Sequence, residues 1–146
     1  MFANKNAAMR SVMKKIVKKC KCSYTLVDAN FERHFLLKST KASCPKWYGM
    51  FKRGYFMSFN EFFPEFVRKH GGGVAESINK ECLQYALSRG VDWLVWIHDD
   101  EKVYVSQVKM VAKYCMKHGL VRTQKGGEET FCVPVHILVN IDDVLP

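Results

Sequence analysis

Residues 91–105 read VDWLVWIHDDEKVYV, and this stretch decides the predicted fold. Its first seven residues are almost continuously apolar, which is typical of a buried strand, and the polar residues 98–101 predict a turn. Lys102–Val105 then begins a partner strand, so the whole stretch predicts an antiparallel hairpin. Ser106 can cap a following helix, which Gly119 would end.

The flanking sequence predicts further helices and hairpins. Apolar residues at intervals of three and four predict a helix over 7–20 and another from Val74 onward that Gly90 ends. Ser58 and Glu61 form a capping-box pattern that should start a short helix, although Pro64 would interrupt or restart it. The remaining predicted elements are a hairpin of strands 24–27 and 31–37, a hairpin of strands 120–124 and 129–133, and an edge strand or short helix over 135–141.

A chain of 146 residues with 48% hydrophobic residues can bury one sizeable core, and nothing in the sequence separates a second one. We therefore predict a single α+β domain, residues 1–146, with antiparallel β-hairpins packed against three or four helices. No apolar run approaches the length of a membrane span, and no secretory signal is recognisable. A soluble, cytoplasmic protein is expected.

Charge is distributed unevenly along the chain. The formal net charge is +9, but residues 1–70 hold 15 Lys and Arg against 4 Asp and Glu, whereas residues 71–146 hold 8 against 10. A basic half beside a slightly acidic half is typical of a localised face for an anionic partner, either nucleic acid or an acidic membrane. A solvated surface whose charge only aids solubility is the simpler interpretation.

Cationic and aromatic side chains alternate in the segment 38–56. Phosphates require charge and unpaired bases require flat rings, so this mixture favours single-stranded nucleic acid. The same pattern is also compatible with rings that point into the core while only the lysines face water. The predicted contact residues of this segment are Lys38, Lys41, Lys46, Trp47, Tyr48, Phe51, Lys52, Arg53 and Tyr55.

The first predicted helix adds a second cationic surface. Arg10, Lys14 and Lys18 lie opposite its apolar residues and are predicted to contact phosphates. The apolar side lacks the large aromatic anchors of a membrane-surface helix, so no membrane partner is predicted.

The six cysteines are spread over most of the chain, which predicts free thiols in a reducing compartment. Cys20 and Cys22 form the only close pair, and no second pair lies at the spacing of a zinc site. The five histidines have no partner at metal-ligand spacing. We therefore expect no metal, no cofactor and no catalytic residue.

A nuclease is the leading enzymatic interpretation. Asp92, Gln107 and Lys109, together with Glu76 on the preceding predicted helix, resemble the restriction-endonuclease-like pattern. In that pattern carboxylates bind Mg²⁺ and the lysine stabilises charge in the transition state. Gln107 departs from it, because the family usually has a carboxylate at this place.

A winged-helix DNA-binding domain and a protein-binding regulator are also compatible with the sequence. Residues 106–119 and 120–133 have the order of a recognition helix and wing, although the wing would be acidic. As a regulator, the chain would bind a polymerase or another host complex through its apolar or basic surface.

The block from Gly90 to about Val139 contains, in order, GVDWLVWI, KVYV, YCMKHGLVRTQKGGEE and VPV. This strand–turn–strand–helix–hairpin order resembles the ThermoDBP family of archaeal single-stranded DNA-binding proteins. The resemblance implies an α+β fold with a cleft where bases meet hydrophobic surface and basic residues line the rim. It carries over no individual binding residue, because the block lies in the acidic half of the chain.

Together these observations predict a protein that binds nucleic acid, with single-stranded DNA favoured, rather than an enzyme. DNA and RNA are not distinguished by the sequence, and a homo-oligomer stays open.

Overall fold

The computed structural model describes residues 5–28, 34–52, 57–58, 61–98 and 102–144. These residues form five α-helices, ten strands and one 3₁₀ turn. In chain order they are α1 (Lys5–Cys20), β1 (Thr25–Asp28), β2 (His34–Lys38), β3 (Trp47–Phe51), β4 (Met57–Ser58), α2 (Pro64–His70), β5 (Val74–Asn79), α3 (Lys80–Ser88), β6 (Trp93–Ile97), β7 (Val103–Gln107), α4 (Val108–His118), β8 (Val121–Thr123), β9 (Glu129–Pro134), a 3₁₀ turn (Val135–Ile137), β10 (Val139–Asn140) and α5 (Ile141–Val144).

The larger sheet has the strand order β1-β2-β3-β6-β7-β10. Its neighbouring strands are antiparallel except for β3 and β6, which are parallel and pair Trp47 with Trp93 and Phe51 with Ile97. A parallel pair requires a crossover connection. Here the crossover contains β4, α2, β5 and α3, and it joins the two central strands of the sheet.

One face of the larger sheet is covered by α1. The helix places Met9, Val12 and Ile16 on the sheet, and each of these side chains is at most 4% exposed. They pack against side chains that alternate along the strands, as the two-residue period of a strand requires. The buried strand residues of this cluster are Phe35, Leu37, Trp47, Val95, Ile97, Val103 and Val105.

The opposite face of the larger sheet packs against α2, α3, α4 and the smaller sheet. The smaller sheet has the order β4-β5-β9-β8, and β5 pairs with β9 from Ala75 opposite Pro134 to Asn79 opposite Thr130. The intervening core contains Tyr48, Trp96 and Leu120, all fully buried. The larger sheet is thus buried on both faces, which explains why its central strands are so apolar.

The predicted α+β class is confirmed, and so are most local elements. The structure contains the helix over 7–20 as α1, and it contains three antiparallel pairs that match the predicted hairpins. These pairs are β1 with β2, β6 with β7, and β8 with β9. Residues 135–141 combine the two predicted forms, a 3₁₀ turn followed by the edge strand β10.

Three local predictions were wrong. The segment from Val74 is the strand β5 before it becomes a helix at Lys80, because pairing with β9 outweighs its helical spacing. The capping pattern at Ser58 does not begin a helix, because Ser58 lies in β4, and the helix α2 begins instead at Pro64, where a restart was the predicted alternative. Ser106 is buried in β7, and Gln107 occupies the N-cap of α4 without a side-chain cap.

The prediction of six free thiols was also wrong, because Cys22 and Cys44 form a disulfide. The meander of β1, β2 and β3 brings these two residues together across 22 positions, which spacing alone does not reveal. Cys20, Cys82, Cys115 and Cys132 are free. Burial raises the pKa of Cys115 to about 12 and that of Cys132 to about 11, so both thiols stay protonated at neutral pH.

The hairpin of β8 and β9 does not project as a wing. Its strand β9 is an inner strand of the smaller sheet, between β5 and β8. The winged-helix interpretation therefore fails. Within the described ranges, no helix has both the length and the apolar character that crossing a membrane requires.

Candidate nucleic-acid interface

The outer side of α1 carries a row of exposed cations. Arg10, Lys14 and Lys18 are all exposed and lie one helical turn apart, so successive charges are spaced by about 6 Å along the helix axis. Lys15, on the flank of the row, forms an ion pair with Asp142 at 3.5 Å. The row itself follows from sequence, because the apolar residues of α1 occupy the opposite side.

Two of the predicted ring contacts were wrong. Trp47 is 1% exposed and Tyr48 is fully buried, so neither ring can stack on a base. Both lie on β3, a central strand of the larger sheet, and adjacent residues of a strand point to its two faces, which are both covered here. Phe51 is half-buried and packs against the cluster under α1.

The hydroxyl of Tyr48 has a half-buried polar partner instead. Its hydroxyl lies 2.5 Å from His34 Nδ1. Burial raises the pKa of Tyr48 far above its usual value, so the hydroxyl keeps its proton and donates a hydrogen bond to the imidazole.

The predicted cations of segment 38–56 are in different environments. Lys41 is exposed, whereas Lys38 and Lys46 are half-buried. Lys46 Nζ also donates a hydrogen bond to the carbonyl oxygen of Arg89, at 3.3 Å. Arg53 and Tyr55 lie outside the described residues. Among the described cations of this segment, Lys41 is thus the one that the structure presents most openly to solvent.

The end of α1 is fastened to the loop that carries Lys41. Cys22, two residues after α1, is bonded to Cys44, with Cα atoms 6.2 Å apart. Tyr24 adds a second link, because its hydroxyl donates to the carbonyl oxygen of Pro45 at 2.9 Å and accepts from Trp47 Nε1 at 3.1 Å. We call Arg10, Lys14, Lys18 and Lys41 together the cationic face.

A cleft of about 400 Å³ lies beside this loop. Loop residues line one wall, and the start of β6 and the β7–α4 junction line the other. The lining residues are Ala42, Ser43, Cys44, Pro45, Val91, Asp92, Trp93, Gln107, Val108 and Lys109.

The cleft brings together three residues that the sequence singled out for a nuclease. Asp92, Gln107 and Lys109 are all exposed on its walls. Gln107 lies directly opposite Trp93 in the β6–β7 pair. The carboxylate of Asp92 is engaged in the fold, since its Oδ2 accepts a hydrogen bond of 2.8 Å from the backbone N–H of Lys46.

Glu76 does not join these residues, so the predicted four-residue constellation was wrong. Glu76 lies on β5 and is 2% exposed, with His98 Nε2 donating a hydrogen bond of 2.6 Å to its Oε2. His98 follows the C-terminal end of β6 and Asp92 precedes its start, so about 20 Å of strand separates the two places.

Lys52 lies close to the Glu76–His98 pair. Burial lowers the pKa of the Lys52 amine, and the nearby Glu76 carboxylate partly offsets this effect by favouring the charged form. Lys52 follows β3 and His98 follows β6, and the backbone N–H of Lys52 donates to the carbonyl oxygen of Ile97 at 2.8 Å. We call Lys52, Glu76 and His98 the buried polar cluster.

Neither place supplies a full set of metal ligands. Across the residues that the structure describes, no three His, Cys, Asp or Glu side chains gather at one point. The buried polar cluster offers one carboxylate and one imidazole, and the cleft offers one carboxylate. These donor sets fall short of the several oxygen ligands that Mg²⁺ prefers, so we assign no chemistry to a bound metal.

No protein-family model matches the chain, and no curated protein matches it. Among solved structures, the fold is similar to that of a nuclease from a fusselovirus, with a TM-score of 0.53 and 9% sequence identity. The similarity covers 95% of this chain and 84% of the nuclease. The similarity in fold thus extends over nearly the whole length of this chain.

Sequence reasoning missed two features of these sites. Trp93, on a wall of the cleft, was assigned to a buried strand, but its place at the very start of β6 leaves it partly exposed. The pairing of Glu76 with His98 does not follow from the sequence, because the spacing of apolar residues predicts a helix where Glu76 lies on the strand β5. The sequence gives one local indication that His98 is a functional residue, its position directly after an apolar strand, since loops that follow rigid elements often carry functional groups.

Proposed function

We propose that this protein binds nucleic acid through the cationic face, with single-stranded DNA as the favoured form. The observation that carries the proposal is the exposed row of Arg10, Lys14 and Lys18, which the fold joins to the loop of Lys41. Phosphates bind such cations and release condensed counterions, and this release supplies most of the sequence-independent affinity for nucleic acid.

The packing of α1 supports this assignment. The inner side of the helix is committed to the core, so its apolar residues are not offered to a membrane or a partner helix, and its outer side acts through charge. The similarity to a viral nuclease also favours nucleic acid over other polyanions.

A direct titration tests the proposal. Fluorescence anisotropy with a labelled single-stranded oligonucleotide, its duplex and an RNA of the same sequence should give saturable binding at low salt. Polyglutamate and heparin serve as polyanionic competitors, the first with a lower and the second with a higher density of negative charge. Competition by heparin but not by polyglutamate is expected, and an absence of saturable binding to any of the three nucleic acids would refute the proposal.

Cleavage of phosphodiester bonds is a second candidate function. The buried polar cluster favours it, because a buried carboxylate–imidazole pair beside a lysine with a lowered pKa is the kind of environment that active sites use. A phosphate would approach from the side of Lys52, the half-buried member of the cluster, whose ammonium group would stabilise its negative charge. Glu76 would orient the imidazole of His98 as a general acid or base behind it.

Three variants decide between the cluster and the cleft as the site of cleavage. If the cluster acts, Glu76→Gln and Lys52→Met should each lower cleavage of a labelled oligonucleotide at least tenfold, roughly the lower limit of typical losses of acid–base or charge-stabilising groups. Lys109→Ala, in the cleft, should leave the cleavage rate at saturating oligonucleotide unchanged, because saturation removes the effect of any weaker binding. Assays with and without added divalent ions are needed, and a loss confined to Lys109→Ala would reject the cluster.

A further inference from the structure

We propose that the cleft beside the loop 41–46 is a pocket for one unpaired nucleobase, with Trp93 as its stacking surface. The proposal rests on the proposed nucleic-acid binding and adds a base-recognition site to it. The predicted stacking rings Trp47 and Tyr48 are buried, whereas the ring of Trp93 is partly exposed.

Trp93 has the position that a stacking platform requires. Its indole stacks on the buried Trp47, with ring centroids 5.6 Å apart and planes 20° apart. Trp47 is in turn held by the hydrogen bond from its Nε1 to Tyr24. Trp93 is therefore fixed by the core on one side while it lines the cleft on another, so little side-chain entropy is lost when a base binds.

The polar groups of the cleft match the edge of a base and its phosphate. Gln107 lies opposite Trp93 and carries both an amide donor and a carbonyl acceptor, the combination that side chains use to read base edges. Lys109 is exposed and lines the cleft, so its ammonium group would bind a phosphate of the same nucleotide. The volume of about 400 Å³ is in the range of small-ligand pockets, roughly 300–1,000 Å³.

The loop 41–46 contributes both to the cleft and to the cationic face. Ala42–Pro45 line the cleft, and Lys41 precedes them on the exposed surface. The loop turns tightly here, because the N–H of Cys44 donates to the carbonyl oxygen of Lys41 at 3.1 Å. A strand whose phosphates follow α1 toward its C-terminal end therefore reaches this loop, and a base can enter the cleft only if it is unpaired.

Oligonucleotides with and without bases test the pocket separately from backbone binding. The probes are a labelled thymidine 12-mer and an abasic 12-mer that has the same phosphates. The wild-type protein should bind the thymidine strand about tenfold more tightly, as stacking of one base on an aromatic ring predicts. Trp93→Leu and the pair Gln107→Ala with Lys109→Ala should reduce that preference, whereas Trp93→Phe should retain most of it.

Lys113→Ala is the matched control, because Lys113 is exposed on the same helix as Lys109 but does not line the cleft. The Gln107 and Lys109 side chains are exposed, so their variant keeps the test valid if Trp93→Leu does not fold. Equal affinity of the wild type for both strands overturns the pocket while leaving nucleic-acid binding intact. Absence of binding to either strand overturns both proposals.

Discussion

Replacing Arg10, Lys14 and Lys18 together by glutamine is expected to weaken nucleic-acid binding on the order of a hundredfold at low salt. Three phosphate contacts would be lost at once, and the slope of log K against log salt should become shallower by about 2 for a single strand. Glutamine keeps the helix, since its helix propensity is close to those of lysine and arginine. Anisotropy titrations at several salt concentrations provide the measurement.

The matched control changes the same amount of charge elsewhere. Lys69, Lys113 and Lys117 are exposed and lie on α2 and α4, on the other side of the larger sheet from α1. Their replacement by glutamine should lower the affinity only slightly, through the general loss of net charge. An equal loss for both triple variants would show that net charge, and not the cationic face, determines binding.

Gly49→Ala is expected to destabilise the fold by about 3 kcal/mol or more, through overpacking. The ring of Phe35 lies over Gly49 across the β2–β3 pair, and a Cβ on residue 49 would lie 2.1 Å from Phe35 Cζ. Phe35 belongs to the buried cluster beneath α1, so its ring has no free space into which it can move. Equilibrium denaturation followed by tryptophan fluorescence measures the loss.

A double-mutant cycle isolates this contact. Phe35→Ala alone should cost about 3–5 kcal/mol as a cavity, but the double variant should cost less than the sum of the two, because the new methyl group occupies the vacated space. Gly72→Ala serves as the control, since Gly72 is exposed and has no positive φ. Additive losses would mean that the strain at Gly49 has another source.

Patterns that span only a few residues predicted the single helices and the hairpins between neighbouring strands. The apolar run and polar turn of residues 91–105 predicted the β6–β7 hairpin, and the spacing of apolar residues predicted α1 with its cationic outer side. These features need no knowledge of distant contacts, because each is fixed by the period of a single element or by one short turn.

Pairings between distant segments could not be read from the sequence. The Cys22–Cys44 disulfide depends on the meander of β1, β2 and β3, and the parallel pairing of β3 with β6 depends on the crossover through β5. Tyr48 shows the limit most clearly: aromatic residues beside lysines are typical of a binding loop and also of a central strand that ends near the surface. Only the place of β3 in the middle of the sheet decides between these interpretations.

The same limit applies to the predicted nuclease residues. Asp92, Gln107 and Lys109 were placed together correctly, because the β6–β7 hairpin brings their positions into register. Glu76 does not lie with them, because residues 74–79 form the strand β5 where the spacing of apolar residues predicts a helix. The candidate site for cleavage is therefore at the other end of β6, where the side chains of Glu76 and His98 are hydrogen-bonded.

The salt dependence of binding by the unmodified protein is the most direct test of the cationic face. We expect log K for a single-stranded oligonucleotide to fall linearly with log salt, with a slope of about −3 if the four cations of the face each contact a phosphate. Binding that does not change between low and high salt, or no binding at low salt, would contradict the assignment of this face to nucleic acid.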